Sequence, residues 1–97
     1  MPAEVLKCTD HALLRMGERN VTFDDVRGVL EHGVIVEEYP DDPRGPSCLM
    51  LGSIRGRPLH VCAGVAHLPD VREIITVYEP TLDEWESDYR TRRSGTR

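Results

Sequence analysis

Lysine is almost missing from this sequence: Lys7 is its one occurrence, so positive charge rests on arginine, and the formal net charge is −5. A uniformly acidic surface repels phosphate backbones, which argues against strong non-specific nucleic-acid binding unless the arginines gather on one face. No apolar run approaches the ~20 residues of a membrane span, and the stretch MPAEVLKCTD lacks the apolar core of a signal peptide. The expected compartment is therefore the cytoplasm, with no membrane partner. Three cysteines without a CxxC pair fit that expectation, because a small secreted domain more usually carries an even disulfide set. Internal repeats and linkers are also missing.

What is present suffices for one domain over residues 1–97. At that length folding buries roughly 60–70% of the unfolded chain's surface, so neither a disulfide nor a metal is needed. After a short lead, Thr9 or Asp10 caps a helix over HALLRMGER, with Ala12, Leu13, Leu14 and Met16 on one side. Thr22 and Asp25 have capping-box spacing, so a second helix begins at Phe23. It buries Phe23, Val26, Val29 and Leu30, and Gly33 ends it in a left-handed conformation. VIVEEY (Val34 to Tyr39) reads as the first strand and Ser47 to Ile54 as the second. Arg55-Gly56 is the hairpin turn into a third strand from about Pro58 to Val65, and HLPD makes the next break. A fourth strand covers Arg72 to Tyr78. Leu82, Trp85 and Tyr89, at i, i+3 and i+7, predict a short C-terminal helix docked on the sheet, followed by a basic, frayed tail from about residue 91. The fold class expected is α+β: two N-terminal helices on a mainly antiparallel four-stranded sheet.

Two polar features stand out. His11, Arg15 and Arg19 stack at i, i+4, i+8 on the first helix, a stripe that any solvated helix face also shows. His60 sits between Leu59 and Val61, where desolvation is costly, so either a neighbour satisfies it or chemistry requires it. Cys8 with His11, or His60 with Cys62, supplies two metal ligands each, but neither spacing matches a zinc module. No metal or other cofactor is expected.

The motifs HAxxRMxER (His11 to Arg19), Val29 to Gly33, PSxLxLGxxxGRPLH (Pro46 to His60), IITVYEP (Ile74 to Pro80) and Trp85 with Arg92-Arg93 together resemble the family DUF4258, a domain of unknown function. Members of that family look similar to RelE/MqsR-like toxins of the barnase-EndoU-colicin-RelE class of small endoribonucleases, often encoded beside a small antitoxin. The resemblance implies a RelE/barnase-like fold and a metal-independent endoribonuclease toxin with RNA as substrate and a cognate antitoxin as protein partner. Such cleavage needs a base for the 2′-hydroxyl, an acid for the leaving oxygen and fixed positive charge. In that reading His60 and His11 carry protons, Arg15 and Arg19 hold the phosphate, and Tyr78 adds a hydroxyl or stacking face. Arg57 and Thr76 contact substrate. It demands that His60, Thr76 and Tyr78 face the first helix. The competing expectation is a non-catalytic binding domain that pairs with a protein partner, and it prevails if the arginines are scattered and paired with carboxylates.

Overall fold

The computed structural model describes residues 5–65 and 71–93, so the break expected at HLPD lies outside the described residues. Seven elements run β1 (Val5–Cys8), α1 (Asp10–Arg19), α2 (Phe23–His32), β2 (Val34–Tyr39), β3 (Ser47–Ile54), β4 (Arg57–Gly64) and β5 (Val71–Tyr78). They build an α+β fold with one five-stranded sheet in the order β1-β5-β4-β3-β2. β1 pairs parallel to β5, and the remaining pairs are antiparallel. The stretch read as a short lead is thus a fifth strand, which makes the sheet mixed. Its four residues lie on an edge and alternate between exposed and half-buried, so its apolar signal is weak.

Local chemistry fixes both helices. The Thr9 hydroxyl accepts from the Ala12 amide at 3.0 Å and also donates to the Ile75 carbonyl at 2.8 Å, tying the start of α1 to β5. Thr22 and Asp25 form the reciprocal capping box: each side chain accepts the other's backbone N–H, at 3.0 and 2.9 Å. Caps of this kind contribute about 1 kcal/mol. Gly33 corrects the left-handed expectation, because its backbone is extended (φ −77°, ψ −179°). The reason for glycine there is space: a Cβ would lie 2.5 Å from the carbonyl oxygens of Leu51 and Val29. The β3–β4 hairpin does turn through two left-handed residues, Arg55 (φ 48°) and Gly56 (φ 78°), as two-residue hairpins with matching twist require.

Both helices cover one face of the sheet. Ala12, Met16, Val26 and Val29 meet Met50, Leu59, Val61, Ala63, Ile74 and Val77 in the main core. Gly52 allows this close approach, since a Cβ on it would sit 2.6 Å from Cγ2 of Val29. Phe23, Leu13 and Leu14, expected inside, are 50, 46 and 59% exposed.

The C-terminal helix is absent among the described residues. One turn forms where the Thr81 carbonyl accepts from Trp85, and then the chain reverses. Asp88 captures the amides of Arg90 and Thr91 (2.9 and 3.0 Å), Tyr89 adopts φ 56°, and Trp85 bridges back to Arg92. An aspartate that satisfies nearby amides with its side chain competes directly with helix propagation. The resulting strap, residues 80–93, crosses the sheet face opposite the helices. Arg92 and Arg93, expected in a frayed tail, are docked in it.

Candidate functional site

Register brings His60 opposite Tyr78 on β5 and Leu51 on β3. Its neighbours Leu59 and Val61 enter the helix-side core, so strand alternation turns His60 to the other face. There the imidazole is fully buried, edge-on to Trp85 at 4.6 Å and to Tyr78 at 5.1 Å between ring centres. Nε2 lies 2.8 Å from the Tyr89 carbonyl and Nδ1 lies 3.0 Å from the Tyr78 hydroxyl. A carbonyl can only accept, so Nε2 carries a proton; burial disfavours a second proton on the ring, so Nδ1 accepts from the Tyr78 hydroxyl. This neutral imidazole spends both nitrogens on holding the strap to β5.

Around it lies a second polar cluster. The Glu37 carboxylate accepts from Arg92 at 2.8 and 3.1 Å and from the Tyr39 hydroxyl at 2.6 Å. The Arg92 guanidinium lies 4.5 Å from the Trp85 ring centre. The Arg92 hydrogen bond holds Glu37 below the usual carboxylate range, and Glu37 in turn raises Arg92. Burial raises Tyr39 and pushes Tyr78 up to about 12.

Burial also lowers the His60 pKa from its ordinary 6.5, against smaller opposing contributions from the Tyr89 carbonyl and Glu37. The folded state therefore resists protonation more than the unfolded chain does. Its stabilisation is fully present above the unfolded pKa and is lost as pH falls through about 6.5 toward the lower folded value. Urea midpoints should fall across that window in the parent protein. A His60→Asn variant should lack that part of the slope, and an identical slope in both proteins would remove His60 as its origin.

The remaining candidates lie apart from His60. The expectation that His60, Thr76 and Tyr78 face α1 is overturned: α1 packs on the helix side, and the sheet separates the histidine from His11, Arg15 and Arg19. Alternation contained the deciding signal, since the apolar set Leu59, Val61 and Ala63 is what two amphipathic helices must cover. His11 and Arg19 are exposed, and Arg15 pairs with Glu18 at 3.1 Å. Arg57 pairs with Glu79 at 3.5 Å, and Arg55 pairs with Asp25 at 3.0 Å while also donating to the Asn20 carbonyl. Thr76 is half-buried opposite Cys62. Glu37, Tyr39 and Arg92 were missed because a strand carboxylate and a basic C-terminal stretch look like ordinary surface. Among the described residues, no three His, Cys, Asp or Glu side chains converge as metal ligands. No helix among them is long and apolar enough to cross a membrane.

Residues 8–79 match the family described as Domain of unknown function (DUF4258). The chain belongs to the DUF4258 family. No curated protein and no solved structure matches it. The DUF4258 match takes in Glu37, Tyr39, His60 and Tyr78 but ends just before the strap, so Trp85, Tyr89 and Arg92 lie outside it.

Proposed function

We propose that this DUF4258 domain is a non-catalytic binding module that pairs with a protein partner. The observation that carries this reading is His60: it is sealed from solvent, both ring nitrogens have structural partners, and the sheet separates it from Arg15 and Arg19. A proton carrier for RNA cleavage must reach the proton that it moves, directly or through one water. Charge supports the same conclusion. Arg15, Arg44, Arg55, Arg57, Arg92 and Arg93 each pair with a carboxylate, on a chain whose formal net charge is −5. Induced alone in bacteria, the protein should neither arrest growth nor create new RNA ends. New ends that vanish in an Arg15→Ala, Arg19→Ala protein would overturn the proposal in favour of an endoribonuclease toxin.

The endoribonuclease reading keeps one supporting observation. His60, Tyr78, Tyr39 and Glu37 share a sheet face, and with the strap displaced they would supply proton carriers. RNA ends lost in a folded His60→Gln protein, but kept after Arg15→Ala and Arg19→Ala, would select this version.

A further inference from the structure

The binding-module reading leaves open which surface takes the partner. β2 closes one end of the sheet and is paired on one side only. An unpaired strand edge is a template for another chain, and proteins usually blunt it with charged side chains, proline or a bulge. β2 carries Glu37, Glu38 and a bulge in its second half, but its first two residues, Val34 and Ile35, are apolar and 42 and 51% exposed. A bulge between Ile35 and Glu37 sets the facing of the strand. Val34 and Glu37 pair with Leu51 and Leu49 on the strap side, while Ile35 and Glu38 pair with Met50 and Cys48 on the helix side.

A groove of about 440 Å³ lies on the β3–β4 hairpin, one strand in from this edge, lined by Leu51, Gly52, Pro58 and Tyr89 among others. Leu51 is the cross-strand partner of Val34, so the groove adjoins the exposed start of β2. Its volume is in the range that receives one large side chain or a small ligand. The surroundings are acidic. Glu31 lies in the last turn of α2 just before the strand, Glu38 lies within it and Asp41 follows it, all three exposed. Glu37 differs in being neutralised by Arg92.

Resting on the binding-module reading, we propose that β2 takes an extended segment of a protein partner as a sixth strand. The segment places an apolar or aromatic side chain in the groove beside Val34 and a lysine or arginine against Glu38. Edge pairing supplies main-chain hydrogen bonds, and alternate side chains supply specificity. A second copy of β2 is a poorer occupant, because it brings another exposed Glu38 carboxylate to an acidic edge, and like charges directly opposite destabilise a strand pair.

The test uses the full-length ¹⁵N-labelled protein and an eight-residue peptide with blocked ends, alternating lysine and phenylalanine, compared with the same peptide carrying glutamate for lysine. The lysine peptide should shift the amides of residues 34–39, 51–53 and 89. The glutamate peptide should bind at least about tenfold more weakly, and Val34→Asp should weaken the lysine peptide by a similar factor. Three outcomes overturn this site: shifts centred elsewhere, no shifts at millimolar peptide, or β2 shifts that follow protein concentration without peptide, which would assign the edge to a second copy. None of these produces RNA ends, so failure of the site remains distinguishable from failure of the binding-module reading.

Discussion

His60→Ala should destabilise the domain by roughly 3–5 kcal/mol, a large share of the 5–15 kcal/mol typical of a single domain. Two costs combine. Removing a fully buried ring leaves a cavity between Trp85 and Tyr78, and it strips partners from the Tyr89 carbonyl and the Tyr78 hydroxyl. An orphaned buried polar group costs about 1–3 kcal/mol by itself. Urea unfolding read by far-UV circular dichroism checks the size of the loss. His60→Phe separates the two costs: it refills most of the space while leaving the polar partners orphaned, so its midpoint should fall between those of the parent and of His60→Ala. A histidine kept for chemistry predicts the reverse pattern, an unchanged midpoint in His60→Ala. That result would reopen the catalytic reading.

The helix starts are legible in the sequence because their chemistry is local: Thr9, Thr22 and Asp25 each act on an amide three residues away. The alternation along β4 was legible for the same kind of reason. β1 escaped because its strand character depends on a parallel partner more than sixty residues later, and four residues carry little periodicity. The strap escaped differently. Leu82, Trp85 and Tyr89 do have helical spacing, but Asp88 and the left-handed Tyr89 turn the chain back. Trp85 nonetheless docks on the sheet and is 1% exposed. As for the candidate site, the odd chemistry of His60 was visible, whereas its surroundings were not. Glu37, Tyr39 and Arg92 meet only after a strand and the strap are brought together, and no spacing along the chain encodes that encounter.

Trp85→Ala should cost about as much, roughly 3–5 kcal/mol for a buried aromatic, but the loss should be concentrated in the strap. Arg92 binds Glu37 through a half-exposed ion pair, and such pairs contribute about 0–1 kcal/mol. Arg93 adds a bond to the Leu82 carbonyl within the strap itself. Neither anchors the segment strongly, so its attachment depends on the indole lying between His60 and Arg92, together with the bond from His60 to the Tyr89 carbonyl. Without the indole, Arg92 also loses a cation–π contact of about 0.5–1 kcal/mol. The strap should then open locally before the sheet unfolds, as weakly attached segments do. Hydrogen exchange reads this directly. The amides of Glu86 and Arg93, bonded to the Thr91 and Glu84 carbonyls, should lose most of their protection in Trp85→Ala, while β4 and β5 amides keep the protection set by the remaining global stability. Equal loss across strap and sheet would mean that the two unfold as one unit. It would also rule out a displaceable strap, and with it the version of the endoribonuclease reading that depends on uncovering His60.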